Sequence, residues 1–219
     1  MRYMTVLFDL DGTLIDSIEL ILESYRHTMR IHRGDAMSDD LFIAGLGTPL
    51  RKQFLSFTDD PAEVEAMIAT YREWNLANHD AMVVAYPGAL ESVKALKTAG
   101  IKLGIVTSKN DRGLARGLSH CGFDGLFDAL VTCDTLAESK PDPAPVHLCL
   151  QLLASSDPRS TLFVGDSPHD IAAGRDAGVD TAACLWGPFD RARIAEERPT
   201  HWLDTFDDLL RICQVGITP

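Results

Sequence analysis

The sequence lacks most of the features that would mark a nucleic-acid, membrane or secreted protein. It has no basic excess: 32 acidic residues face 20 basic ones, for a formal charge of −12. A binder of phosphate backbones needs a basic patch or stripe, so a nucleic-acid partner is not expected. No apolar run approaches the length needed to span a bilayer, and no membrane partner is expected. The N-terminus "MRYMTVLFDL" is too short an apolar stretch for a signal peptide. The five cysteines (Cys121, Cys133, Cys149, Cys184, Cys213) form no CxxC pair and show no metal-ligand spacing. Their odd number and mostly apolar surroundings read as reduced, largely buried thiols of a cytoplasmic protein. The lone histidines show no pair at metal spacing and read as surface or satisfied core positions, and the tryptophans as packing residues. Repeats and low-complexity tracts are missing as well.

What is present is a chain of 219 residues with 46% hydrophobic content, enough for one sizeable domain carrying a smaller insertion. Five short apolar runs end at polar residues: "TVLFD" (5–9), "KLGIVTS" (102–108), "DALVTC" (128–133), "TLFVGD" (161–166) and "TAACLW" (181–186). Continuous rather than alternating apolar runs suit strands covered on both faces of a parallel sheet. Helical patterns at 87–100, 110–122, 142–155 and 168–178 separate them. Pro87 and Pro168 suit first-turn positions, and Gly100, Gly122 and Gly178 suit helix ends. The pattern predicts a doubly wound, Rossmann-like α/β sheet. Residues 16–84 break the rhythm with four helical stretches (17–30, 38–46, 48–57, 59–80) and no clear buried strand. We read 1–15 and 85–219 as the α/β core and 16–84 as a helical cap inserted after the first strand. Ligands of such sheets bind beyond the carboxyl ends of the strands, so the cap would lie over the site. The linkers near Asp16–Ser17 and Val84–Tyr86 would be its hinges.

The chemistry collects at those strand ends. The first strand delivers Asp9 and Asp11, the second Thr107 and Ser108, the fourth Asp166 with Asp170 a helical turn later. Lys140 stands in "ESKPDP". Carboxylates brought this close repel by about 4 kcal/mol per pair at 4 Å with an effective dielectric near 20. A hard divalent cation relieves that, and an oxygen-only donor set points to Mg²⁺. A cation flanked by a lysine and by N–H groups at a helix start is a site for phosphate. A carboxylate can attack phosphorus to give an aspartyl phosphate, while a second carboxylate handles the protons.

The motifs "DLDGT", "IVTSK", "ESKPDP" and "VGDSPHD", in that order, resemble those of the haloacid dehalogenase superfamily, and the insertion falls where that superfamily carries a small cap. The resemblance runs over nearly the whole chain. It implies that Asp9 is the nucleophile and Asp11 the general acid/base, with the Asp11 backbone carbonyl also on the metal. It implies that Thr107 binds phosphate, that Lys140 neutralises the nucleophile and phosphoryl group, and that Asp166 and Asp170 complete the Mg²⁺ site. Dehalogenases of the superfamily lack the second aspartate and the ion-pumping ATPases carry a threonine there, so Asp11 implies phosphate hydrolysis. Gly12 and Thr13 would turn the chain around the ligand.

Other roles compete at some of these positions. Asp170 also fits a capping box with Ser167; Asp142 reads as a helix cap, Asp16 as a cap or a hinge. Ser108 either begins a helix turn or offers its N–H to phosphate. Arg51 or Lys52, in "FIAGLGTPLRKQF", either meets a second anionic group or sits on a solvated helix face. The cap segment resembles that of phosphoglycolate-phosphatase-like members, while "MIATYREWNLANHD" and "VGDSPHDIAAGRDAGVDTA" are similar to bacterial inorganic pyrophosphatases. The expectation is therefore a phosphatase for a small phosphorylated metabolite of phosphoglycolate type, with pyrophosphate the close alternative. A phosphomutase is disfavoured by Thr13, and a silent binding module by the complete motif set. Monomer and homodimer both remain open.

Overall fold

The computed structural model describes residues 3–34, 37–155 and 157–216; the parts of the expected core and cap at the other positions lie outside the described residues. In chain order the elements are β1 (Thr5–Phe8), β2 (Ile15–Asp16), α1 (Ile18–Arg33), α2 (Asp39–Gly45), α3 (Leu50–Phe54), α4 (Pro61–Met82), β3 (Val84–Ala85), α5 (Ala89–Thr98), β4 (Lys102–Val106), α6 (Asp111–His120), β5 (Ala129–Val131), α7 (Ala144–Leu152), β6 (Thr161–Gly165), α8 (Pro168–Asp176), β7 (Asp180–Cys184), α9 (Arg191–Ala195), β8 (His201–Leu203) and α10 (Phe206–Ile212).

Six strands form one sheet in the order β5-β4-β1-β6-β7-β8, every pairing parallel. The five apolar runs supply five of these strands. The sixth, β8, is too short and too polar in sequence ("HWL") to announce itself. β1 shows why the runs are continuous: Val6 and Phe8 pack into one core with Val93, Leu96, Leu114 and Leu209. Leu7, between them, packs on the opposite face with Val146, Cys149 and Ala173. Each such side chain is worth about 1.5–3 kcal/mol when fully buried, so a strand covered on both sides tolerates no polar position until it ends.

Helices α1 to α4 bury a separate aromatic cluster around Tyr25, Phe42 and Phe54. This group joins the sheet domain through a two-stranded antiparallel ribbon, Ile15 opposite Ala85 and Asp16 opposite Val84. The expected hinge linkers thus lie side by side as β2 and β3, strands that the reading of 16–84 as purely helical did not foresee. Two residues are too few for period-2 alternation to register. Pro168 occupies the first turn of α8 as expected, but Pro87 does not begin a helix, because Gly88 is the N-cap of α5. Cys149, Cys184 and Cys213 are buried, Cys121 and Cys133 half-buried, and all five are free thiols. Among the described residues no helix is long and apolar enough to cross a membrane.

Candidate active site

β1 lies at the centre of the sheet, with β4 on one side and β6 on the other. The chain reverses its order of strand addition here, and parallel sheets leave a crevice at such a point. Phe8 pairs with Ile105 and Val164, and the Asp9 N–H continues the ladder to Val164 O at 2.9 Å. Asp9, Thr107 and Asp166 therefore leave neighbouring strands at nearly the same level, and all three are buried.

Lys140 reaches this floor from the loop before α7, across a cis peptide bond to Pro141. Its ammonium is only 1% exposed. It donates to Asp170 Oδ1 at 2.6 Å and to Val106 O at 3.1 Å, and lies 2.8 Å from Asp9 Oδ1. That last contact is an ion pair outside hydrogen-bonding geometry, which leaves Asp9 Oδ1 a buried acceptor with no hydrogen bond. Burial pushes the Asp9 carboxyl up to about 7; Lys140 pulls it down and Asp170 pushes it further up. Burial likewise holds Asp166 well above the usual carboxylate range, with Asp170 and Asp9 adding to the effect. Burial pulls the Lys140 ammonium's pKa down, but Asp170 and Asp9 more than reverse it, and the ammonium keeps its charge.

Asp166 is held by the Thr13 hydroxyl, which donates to Oδ1 at 2.7 Å. Gly12 has a left-handed φ of +84°, and a Cβ there would stand 2.4 Å from Asp166 Oδ2, so the turn after β1 requires glycine twice over. Asp170 performs the helix-capping role: its Oδ2 accepts from the Ser167 N–H and hydroxyl at 3.0 and 2.6 Å. With Oδ1 on Lys140, it both caps α8 and fixes the lysine.

Asp11 is placed differently. Its Oδ1 accepts from the Ser17 hydroxyl at 2.5 Å and from Lys109 Nζ at 2.6 Å, and its side chain is not part of the floor's carboxylate cluster. Thr107 Oγ1 accepts from the Lys109 N–H at 3.2 Å. Ser108 donates to Gly47 O at 2.6 Å, joining the sheet domain to the loop between α2 and α3. Arg51 lines the cavity, but its guanidinium is paired with Glu65 on α4, both half-exposed. Arg51 thus stands at the cavity wall with a surface partner in Glu65 that the sequence reading did not include. Helices α3 and α4 run close enough for their surface charges to meet, which sequence spacing does not reveal. Asp142 accepts from the Ala144 N–H at 2.8 Å, but the N-cap of α7 is Pro143 and not Asp142 as expected.

Asp9, Asp166 and Asp170 each offer a carboxylate oxygen within 4.8 Å of the others, all buried. Three clustered buried carboxylates share the single ammonium of Lys140, so their charge favours a further cation. Hard, all-oxygen donors fit a divalent ion of the magnesium or calcium type. The floor is thus a metal-compatible acidic site with one embedded ammonium, roofed by a cap. The cavity between them encloses about 590 Å³.

Sequence reasoning gave no role to Lys109 or the Thr13 hydroxyl, and took Ser17 only as part of a hinge linker. Lys109 stands two residues past Thr107 at the end of the second strand, and that position was the available signal. Ser17 and Thr13 carried no signal, since their partners come from chain turns that spacing does not encode.

The chain belongs to the haloacid dehalogenase-like hydrolases, whose family model matches residues 6–184. It is therefore a hydrolase. It is 39% identical over 218 residues to the pyrophosphatase PpaX of Anoxybacillus flavithermus, covering 100% of this chain and 99% of the relative. A PpaX of Bacillus cereus is 40% identical over 212 residues, 97% of each chain. The crystal structure of a predicted phosphoglycolate phosphatase of Haemophilus somnus superposes with a TM-score of 0.88 at 27% identity, covering 98% of this chain and 99% of that one. The phosphate complex of CbbY from Rhodobacter sphaeroides (TM-score 0.82, 21% identity, 94% and 96% coverage) shares the fold.

Proposed function

We propose that the protein is a Mg²⁺-dependent phosphatase acting on inorganic pyrophosphate through an aspartyl-phosphate intermediate. The observation that carries the choice of substrate is full-length likeness to PpaX pyrophosphatases, and the cavity's charge layout supports a substrate with two anionic groups. Lys140 is committed to Asp9 and Asp170, and Lys109 to Asp11. Arg72 on the cap and Arg112 in the first turn of α6 also line the cavity. Neither guanidinium has an ion pair among the described residues, so cations remain for a second anionic group after the first phosphoryl group has met the floor. Full-length likeness to PpaX pyrophosphatases supports this order of preference over phosphoglycolate, the substrate class favoured by sequence reading. Phosphoglycolate also carries two anionic groups and stays the second reading, supported by the phosphoglycolate phosphatase fold neighbour.

In this mechanism an Asp9 oxygen attacks phosphorus and the P–O bond to the leaving phosphate breaks. Asp11 gives that leaving oxygen its proton. Asp11 then takes a proton from water, whose oxygen attacks phosphorus and releases Asp9 and the second phosphate. Lys140 offsets the negative charge on Asp9 and the phosphoryl group, and Thr107 and Ser108 bind its oxygens. Asp9, Asp166, the Asp11 carbonyl and Asp170 would hold Mg²⁺, which supplies Lewis-acid stabilisation of phosphoryl charge. The cap excludes water while the acyl phosphate forms.

The test is phosphate release from pyrophosphate, phosphoglycolate and a panel of sugar and nucleoside monophosphates, with and without Mg²⁺. Pyrophosphate should give the highest kcat/KM. A monophosphate ester preferred by tenfold or more would overturn the substrate reading while leaving the mechanism standing.

A further inference from the structure

The loop between α2 and α3 touches the sheet domain's motif residues. Gly47 O accepts from Ser108 Oγ at 2.6 Å, and a Cβ on Gly47 would lie 3.2 Å from Ser167 Oγ. Gly47 and Thr48 line the cavity. The loop's shape therefore decides how the cap meets the floor, and one side chain, itself facing the cavity, braces it from behind. Gln53, half-buried on α3, donates from Nε2 to Thr48 O at 3.0 Å and accepts at Oε1 from the Tyr25 hydroxyl at 2.5 Å. On the other flank a Cβ on Gly45 would stand 2.7 Å from Gln53 Oε1, so the chain is drawn against the amide.

Tyr25 gives this brace a firm anchor. It is 1% exposed, stacks on Phe42 of α2 with ring centroids 4.9 Å apart, and meets Phe54 of α3 and Tyr71 of α4 edgewise or tilted. Tyr25 thus ties the remaining cap helices to α1 while its hydroxyl fixes the rotamer of Gln53. An amide is the uncharged side chain that supplies an acceptor for the tyrosine and a donor for the loop carbonyl together. An apolar residue of the same size would fill the space and leave Thr48 O and the Tyr25 hydroxyl without these partners.

We propose that Gln53 is a positioning residue for hydrolysis: through Thr48 it holds the 45–49 loop in the shape that closes on Ser108 and Ser167. It acts on the site through the loop, not by touching the reacting atoms. The inference rests on the hydrolase reading of the site and not on the choice between pyrophosphate and phosphoglycolate.

Gln53→Glu separates this role from simple cap support. A protonated glutamic acid reproduces both contacts, since one oxygen accepts and the other donates. The carboxylate still accepts from Tyr25 but faces Thr48 O with a second acceptor. Tyr25 and Tyr71, the titratable groups packed around it, are both held above the ordinary tyrosine range by burial and keep their protons throughout; the Arg51–Glu65 pair lies outward on the neighbouring surface. The expected result is a kcat lower than wild type by about tenfold near pH 8, the loss of one well-placed hydrogen bond. The ratio to wild type should recover as the pH is lowered through the carboxyl's titration, with KM changing less than kcat. Hydrogen exchange of the 45–49 amides, expressed against wild type at each pH, should follow the same curve. Gln53→Met should show both defects at every pH. A Gln53→Glu ratio that is flat with pH in both measurements, or a Gln53→Met enzyme with wild-type kcat and exchange, would overturn the proposal. The exchange arm reads the loop without turnover, so failure of this inference is distinguishable from failure of the hydrolase reading.

Discussion

The floor and the roof of the cavity hold their polar groups in opposite ways. On the floor, Asp9, Lys140, Asp166 and Asp170 are buried, and each is placed by a strand end, a helix cap or a main-chain carbonyl. On the roof, the aromatic rings are buried while Arg51 on α3 and Arg72 on α4 are exposed at the cavity's edge. Burial makes the floor's charges strong and intolerant of change; exposure leaves the roof's charges screened by solvent and salt. The proposed chemistry thus falls to the buried half, and the proposed contacts to a second anion to the exposed edge.

The largest break in this comparison should come from Asp9→Asn. Loss of the nucleophile is expected to lower kcat by about four orders of magnitude or more, read as phosphate release, with the folded structure retained by circular dichroism. Lys140→Met follows. It leaves buried carboxylates facing one another without their counter-charge, and should destabilise the metal-free protein by about 3–5 kcal/mol in denaturant titrations, besides abolishing turnover. At the cavity's edge, Arg72→Gln on the cap and Arg112→Gln on α6 should each raise KM for pyrophosphate by about tenfold and leave KM for a substrate with a neutral leaving group within about twofold.

The floor should also show itself in pH. Asp9 has a folded pKa raised by burial to about 7, so it contributes stability below its unfolded pKa that is lost as pH rises through about 7. The metal-free protein should therefore lose melting temperature between about pH 5 and pH 8, at about 2–4 °C per kcal/mol for a chain of this size. Mg²⁺ replaces the proton, so its stabilising effect should be larger at pH 8 than at pH 5. Equal shifts at both pH values would remove the carboxylate cluster as the metal's site. The smallest effect belongs to Arg51→Gln. Its guanidinium already has Glu65 and solvent, and kcat/KM should stay within about twofold of wild type.

The same contrast explains what could be read from the sequence. Strands β1, β4, β5, β6 and β7 were legible because two-sided burial forces continuous apolar runs, and Asp9, Thr107 and Asp166 were legible because polar residues interrupt those runs at the crevice. Asp170 was legible as a cap from "SPHD". The ribbon of Ile15–Asp16 with Val84–Ala85, the Arg51–Glu65 pair and the Tyr25–Gln53–Thr48 brace were not. The ribbon is too short for a periodic signal, and the other two join residues through packing of cap helices whose mutual angles no periodicity records. Lys109 on Asp11 falls between: its place beside Thr107 was visible, but its partner depends on the turn after β1.

The central claim is that Asp9 carries the phosphoryl group in turnover. The most direct measurement is acid quenching of the Mg²⁺-loaded enzyme during pyrophosphate hydrolysis, followed by mass spectrometry of the peptide containing Asp9. The account predicts a peptide heavier by one phosphoryl group, absent from Asp9→Asn and lost on chasing with buffer. Pyrophosphate turnover that persists at wild-type rate in Asp9→Asn, with no such adduct in either protein, would contradict it.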